Sequence, residues 1–188
     1  MAIGDVSGHG IPSALLMATV RSSLRQRVSL PGSTAKVISD VNRHLVKDVE
    51  NSGQFMTMFF LVLDTATRQL EWVRAGHDPG IVYDPGSDSF SELGGSGMAL
   101  GVDAEWVYED NKKTDFSKGQ IIILSTDGIW EARNKKGEML GKEPILSAIR
   151  KNSSSGATQI IDSIFNTLNT FSDGVKIEDD ITAVVIKM

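Results

Sequence analysis

The sequence predicts an α+β fold in which a run of antiparallel strands stands between helices, and three patterns lead to this prediction. Two stretches with the apolar spacing of helices come first, at 11–28 and 33–49. A near-continuous apolar run at 56–63 and several shorter apolar segments follow, separated by turn-length gaps. Two more helical stretches precede a last strand at 181–186. Helices at both ends of a run of strands are typical of a layered sandwich rather than a doubly wound parallel sheet.

The first third of the chain is predicted to hold a short strand and two helices. Pro12 stands where the first turn of a helix tolerates proline, and Pro31-Gly32 ends that helix. Ser33 can cap the second helix. The predicted buried faces are Ile11, Leu15, Leu16, Val20, Leu24 and Val28 in the first helix and Val37, Ile38, Val41, Leu45 and Val49 in the second.

The rest of the chain alternates between strands and two late helices. The apolar run at 56–63 indicates a central strand that is covered on both faces. Further strands are predicted at 69–75, 81–83, 106–108, 120–125 and 181–186, and helices at 143–151 and 157–171. The second of these helices is expected to direct Ile160, Ile161, Ile164, Phe165 and Leu168 toward a core.

Composition restricts the class of protein. A chain of 188 residues with 40% hydrophobic residues and no dividing linker predicts one domain with a sizeable core. The net charge of -5 and the scattered basic residues argue against a nucleic-acid partner. No apolar stretch approaches the roughly 20 residues of a membrane helix, so we expect a soluble protein without membrane insertion. The absence of cysteine agrees with a cytoplasmic setting.

Three acidic clusters lie beside predicted strands, at 3–10, 124–128 and 178–182. A carboxylate at the end of a buried strand is costly to desolvate unless a cation or hydrogen bonds compensate it. Oxygen ligands without cysteine favour Mg²⁺ or Mn²⁺. Such an ion lowers the pKa of water and stabilises phosphate oxygens, which suits phosphoryl hydrolysis.

Each cluster alone has an ordinary explanation. Asp-Gly is a common turn, and an acidic pair before a strand is usually a solvated loop. The shared context of Asp5 and Asp127 favours metal binding over turn formation. His9 and His77 are candidate bases, but their glycine neighbours favour structural roles in tight turns.

Six segments, in this order, resemble the SpoIIE/RsbU branch of the PPM superfamily of metal-dependent protein phosphatases, and the resemblance covers essentially the whole chain. They are 4–10 (GDVSGHG), 55–59 (FMTMF), 75–77 (AGH), 97–101 (GMALG), 125–128 (STDG) and 179–182 (DDIT). The resemblance implies a four-layer α/β/β/α sandwich with two central antiparallel sheets flanked by helices. It also implies that metal ions are held at one end of the sandwich.

The same resemblance implies the site residues. Asp5 would bridge two Mn²⁺ or Mg²⁺ ions with help from the Val6 backbone carbonyl, and Asp127 and Asp179 would complete one of the two metal sites. Asp180 is a neighbouring candidate ligand. Asp5, Asp127 and Asp179 would be the catalytic residues.

One departure from the family is expected to matter. The family carries an acidic Gly-Gly-Asp strand motif upstream, whereas only four residues precede Asp5 here. We therefore expect a single PPM-type domain over 1–188 that lacks this motif and its first strand, with one metal site incomplete. A sheet edge left unpaired in this way can promote self-association, so a homodimer is a further expectation.

Three hypotheses about function follow. The first is a serine/threonine phosphatase for a small phosphorylated regulatory protein, resembling an anti-sigma-factor antagonist, with a sensor or receiver domain preceding it in the parent protein. The second is a partner-binding module of the same fold with weak or no activity. The third is a hydrolase of small phosphate esters that uses the same chemistry.

Overall fold

A computed structural model describes residues 1–175 and 179–188, which form two compact units. The first unit comprises Met1–Pro79 and Gly94–Asp115, and the second comprises Gly80–Leu93 and Phe116–Met188. The strands are β1 (Ala2–Val6), β2 (Met56–Asp64), β3 (Gln69–Ala75), β4 (Gly80–Asp84), β5 (Ser89–Leu93), β6 (Asn111–Lys113), β7 (Ile121–Ser125) and β8 (Ala183–Lys187). The helices are α1 (Ile11–Arg27), α2 (Thr34–Val49), α3 (Gly128–Glu131), α4 (Glu143–Lys151) and α5 (Ala157–Ser172).

The first unit contains an antiparallel sheet in the order β1-β2-β3-β6, covered by α1 and α2. Side chains of a strand alternate between its two faces, and Met56, Met58 and Phe60 of β2 belong to the core that includes the buried face of α2. The opposite face of β2 therefore carries Thr57 and Phe59.

The second unit contains an antiparallel sheet in the order β5-β4-β7-β8. All five residues of β7 are buried. The apolar faces of α4 and α5 share a core with β4 and β7, in which Ile149, Ile160 and Ile164 have no exposed surface. The prediction of two antiparallel sheets flanked by helices is confirmed.

Most predicted elements are found where the sequence places them. Ser33 caps α2, because its Oγ accepts a hydrogen bond from the Lys36 backbone N–H at 3.3 Å, and the whole predicted apolar face of α2 is buried. In α5, Ile160, Ile164 and Leu168 are buried as expected, whereas Ile161 and Phe165 are only half-buried.

The predicted face of α1 is only partly right. Leu16 and Val20 are buried, but Ile11 is 76% exposed and Leu15 is 64% exposed. At 3.6 residues per turn, Ile11 and Leu15 lie roughly 140° and 100° around the helix from Leu16, so they cannot share its contact line with α2. The narrow buried line continues through Leu24.

The prediction of a strand at 106–108 is wrong. Trp106 packs against the first core, and Tyr108 is buried with its hydroxyl donating to the Met98 carbonyl at 2.9 Å. Both side chains lie on a loop, where Tyr108 is buried and Trp106 is partly buried. Strand pairing begins only at Asn111, which lies opposite Trp72. None of the helices in the described residues is long and apolar enough to span a membrane.

Candidate metal centre

Asp5 lies near the end of β1, an edge strand of the first sheet, directly opposite Thr57 of β2. Beyond the strand, the Ser7 N–H donates to the Phe55 carbonyl at 2.9 Å, and the Phe55 N–H donates to Ser7 Oγ at 2.9 Å. These two bonds fix the segment after Asp5 to the start of β2. Asp5 is half-buried.

The pairing also determines where the Val6 carbonyl points. Along an antiparallel ladder, pairs that exchange backbone hydrogen bonds alternate with pairs that do not. Ser7 bonds to Phe55 and Met1 bonds to Leu61, so the odd-numbered residues of β1 are the ones that hydrogen-bond to β2. Met56, opposite Val6, instead exchanges both backbone hydrogen bonds with Leu100. The Val6 carbonyl is therefore directed away from β2, toward the open edge of the sheet.

A turn at 75–77 contributes His77 to the face of the sheet that carries Asp5. The His77 ring is 4% exposed, and its Nδ1 lies 2.7 Å from Thr57 Oγ1. Gly76 has a φ of +71°, and a Cβ there would lie 2.9 Å from the Ala99 backbone nitrogen. Glycine is therefore required at this position, as the sequence had indicated by predicting a tight turn.

Asp127 lies two residues after the end of β7 in the second unit and is the N-cap residue of α3. Its backbone carbonyl accepts from the N–H groups of Trp130 and Glu131, both at 3.0 Å. The Asp127 carboxylate makes no capping hydrogen bond to this short helix. A half-buried carboxylate that its own helix does not use is suited to binding a ligand.

Asp179 and Asp180 lie on a loop that Thr126 holds beside Asp127. Thr126 Oγ1 donates to the Asp180 carbonyl at 3.1 Å and accepts from the Thr182 N–H at 3.0 Å. The Thr126 N–H donates to the Thr182 carbonyl at 3.1 Å. One Asp179 oxygen accepts from the Asp180 N–H at 2.8 Å. Glu178, the first member of the third acidic cluster, lies outside the described residues.

A cavity of about 580 Å³ in the second unit is lined by Gly128 and Asp179. Arg133 and Lys135 also line this cavity. Arg133 is held by the Gly137 carbonyl at 2.7 Å, and Lys135 forms an exposed ion pair with Asp173 at 2.6 Å. Sequence reasoning did not single out these basic residues.

The structure brings the candidate ligands together only in part. Asp127, Asp179 and Asp180 share the second unit, whereas Asp5 and Val6 belong to the first. Across residues 1–175 and 179–188, no group of three or more His, Cys, Asp or Glu side chains is close enough to hold a metal ion. The donors themselves fit a hard divalent ion, because they are carboxylate oxygens and a backbone carbonyl directed to an open sheet edge.

Sequence reasoning missed Thr57 and Thr126. Both lie inside segments that carried the family resemblance, at 55–59 and 125–128. Their roles depend on strand pairing and on a contact across more than fifty residues, which the local sequence does not reveal.

The chain is similar to known proteins over its whole length. Phosphoserine phosphatase RsbU of Bacillus subtilis is 28% identical over 187 residues, which cover 100% of this chain and 55% of RsbU. The chain thus spans about half the length of that relative.

Solved structures share the fold. The SiaA PP2C domain of Pseudomonas aeruginosa superposes with a TM-score of 0.87 at 20% identity, over 100% of this chain and 74% of that one. RsbX in complex with magnesium superposes with a TM-score of 0.66 at 18% identity, over 98% and 78%. The sequence model of the SpoIIE family, Stage II sporulation protein E, matches residues 1–188. The chain therefore belongs to the SpoIIE family.

Proposed function

We propose that this chain is a Mg²⁺- or Mn²⁺-dependent phosphatase that hydrolyses phosphoserine or phosphothreonine on a regulatory protein. The observation that carries the proposal is that Thr126, the residue before Asp127, hydrogen-bonds to Asp180 and Thr182 of the loop that also contains Asp179. Membership of the SpoIIE family and similarity to a phosphoserine phosphatase support the reaction type.

The proposed ion ligands are Asp5, the Val6 carbonyl, Asp127 and Asp179, with Asp180 as an alternative to Asp179. A divalent ion bound there would supply Lewis-acid stabilisation of phosphate oxygens and lower the pKa of water. The protein's own contribution is to orient the carboxylates. Thr126 holds the 179–182 loop, and the Ser7–Phe55 bonds hold the end of β1. The magnesium complex of RsbX supports the choice of a hard ion.

The proposed substrate is a phosphorylated regulatory protein, and the name of RsbU, a phosphoserine phosphatase, supports phosphoserine as the group that is hydrolysed. We place this activity in the cytoplasm, where a chain without cysteine is compatible with the reducing environment. A sensor or receiver domain in the parent protein and homodimer formation are further parts of the proposal.

Metal-dependent hydrolysis tests the proposal. The rate of p-nitrophenyl phosphate hydrolysis is measured with Mn²⁺, with Mg²⁺ and with EDTA, for the wild-type chain and for Asp127→Asn. A matched control is Asp162→Asn, which removes the same charge from an exposed position on α5. We expect turnover that requires the metal ion, is abolished by Asp127→Asn and is unchanged by Asp162→Asn.

Substrate choice separates the proposal from its two alternatives. Hydrolysis of a phosphoserine peptide as well as p-nitrophenyl phosphate supports a protein phosphatase. Turnover of p-nitrophenyl phosphate alone would favour a hydrolase of small phosphate esters. The absence of turnover on both substrates, in a chain that is folded by circular dichroism, would favour a partner-binding module.

A further inference from the structure

We propose that Thr57 and His77 are positioning residues that form a hydrogen-bonded relay to Asp5 and fix its carboxylate for metal binding. In this relay, His77 Nδ1–H donates to Thr57 Oγ1, and the Thr57 hydroxyl donates to the Asp5 carboxylate. The inference rests on the proposed function, because it assigns these residues a role toward the ion that Asp5 would bind.

The strand register places Thr57 directly beside Asp5. The two residues are partners in the β1–β2 pairing and form one of its hydrogen-bonded pairs. Such partners have Cα atoms about 5.5 Å apart and side chains on the same face. Thr57 is β-branched, so its side chain has few rotamers with which to occupy this position. Its hydroxyl is therefore the polar group of β2 nearest in register to the Asp5 carboxylate.

His77 fixes the direction of that hydroxyl. The Nδ1–Oγ1 distance of 2.7 Å is that of a good hydrogen bond. The imidazole cannot move away, because the ring is buried and the Arg74 Nε donates to the His77 backbone carbonyl. The turn before it is also fixed, since Gly76 packs directly against Ala99.

The chemistry of the three groups gives the relay its direction. An ionised carboxylate only accepts hydrogen bonds, whereas a threonine hydroxyl donates one and accepts others. If Thr57 donates to Asp5, its oxygen must accept from His77, and the imidazole then carries its proton on Nδ1. Groups that hydrogen-bond to a metal ligand from outside the coordination shell orient that ligand, and their loss typically costs roughly 10- to 100-fold in metal affinity.

The first test is Mn²⁺ affinity, measured by calorimetric titration. Thr57→Val keeps the shape of the side chain and removes the hydroxyl, and we expect it to weaken Mn²⁺ binding roughly 10-fold or more. Thr57→Ser restores the hydroxyl and should return affinity close to the wild-type value. The matched control is Thr34→Val, which removes another buried hydroxyl of the same unit, bonded to Asp110 at 2.5 Å, and should leave Mn²⁺ affinity unchanged.

The second test reads the proton position directly in the metal-free chain. Nitrogen-15 chemical shifts distinguish the two neutral imidazole tautomers, and we expect His77 to be the Nδ1–H form in the wild type. Loss of that preference in Thr57→Val is expected as well. A His77 ring that carries its proton on Nε2 would overturn the relay.

The outcomes separate this inference from the proposed function. If Asp5→Asn weakens Mn²⁺ binding but Thr57→Val does not, the positioning role is overturned and the metal site stands. If the wild-type chain binds no Mn²⁺, both are overturned. Should Thr57→Val fail to fold, His77→Asn and His77→Leu replace it. Asn keeps a polar atom where Nδ1 was, so equal Mn²⁺ affinities in these two variants would refute the relay.

Discussion

The Gly128→Ala substitution should disturb the candidate metal centre more than it disturbs the fold. A Cβ at this position would lie 2.7 Å from the Asp180 carbonyl oxygen and 3.3 Å from Ile181 Cγ1. A displacement of about 0.7 Å would restore an ordinary contact. The group that must move is the backbone of the loop that carries Asp179. Misplacing a catalytic group by about 1 Å can cost around 100-fold in rate.

We therefore expect metal-dependent turnover to fall roughly 10- to 100-fold in Gly128→Ala, with weaker Mn²⁺ binding. Overpacking costs about 1–3 kcal/mol of stability, and alanine recovers about 0.4–1 kcal/mol of this because it restricts the unfolded chain more than glycine does. The net loss of unfolding free energy should therefore stay below about 3 kcal/mol. Turnover, Mn²⁺ affinity and urea unfolding are measured together.

The control for this prediction is Gly94→Ala, where an added Cβ meets no atom within 4 Å. This variant should keep both turnover and stability. Wild-type turnover and Mn²⁺ affinity in Gly128→Ala would show that the position of the 179–182 loop does not matter for the reaction.

Two further substitutions test the packing of the first unit. Hydrogen bonds from Lys36 and then Arg27 lower the pKa of the Asp40 carboxyl to about 2. A carboxyl whose pKa is lower in the folded state than in the unfolded state stabilises the fold at a pH above its unfolded pKa, near 4. This stabilisation is lost as the pH falls through the folded pKa. Asp40→Asn should therefore lower the free energy of unfolding by about 1 kcal/mol at pH 7, after solvent screening. Urea unfolding should show no difference near pH 2, and a constant difference would contradict this. Asn42 is fully buried; its side-chain amide donates to the Asp103 carbonyl at 2.7 Å and accepts from the Gly101 N–H at 2.9 Å. Asn42→Ala should therefore cost about 2–4 kcal/mol in the same assay, and a loss below 1 kcal/mol would show that water replaces the amide.

The sequence predicted the buried residues correctly for helices that pack against a single surface along their length. The five predicted face residues of α2 are all buried, because that helix packs along its length on the first core. The pattern of α1 includes residues from more than one side, and Ile11 and Leu15 remain exposed. Apolar content alone also misplaced a strand at 106–108, since Tyr108 is buried within a loop.

The candidate ligands could be selected from the sequence, but the residues that orient them could not. Asp5, Asp127 and Asp179 are charged residues beside strands, and removing such a charge from water is costly unless a cation or hydrogen bonds compensate it. Thr57 and Thr126 are uncharged, so the same argument does not single them out. Their importance depends on a partner 20 residues away in one case and on contacts 54 and 56 residues away in the other. Only the pairing of the strands and loops identifies them.

The glycine-containing segments that carried the family resemblance also have a packing role that bears on the site. A Cβ at Gly97 would overlap the Arg74 carbonyl oxygen, so the 97–101 segment packs directly against the backbone of β3. The same Arg74 donates through its guanidinium to the His77 and Gly95 carbonyls. Close packing transmits a displacement rather than absorbing it. The 97–101 segment therefore holds the turn that presents His77 to Thr57, and through this pair it supports the position of Asp5.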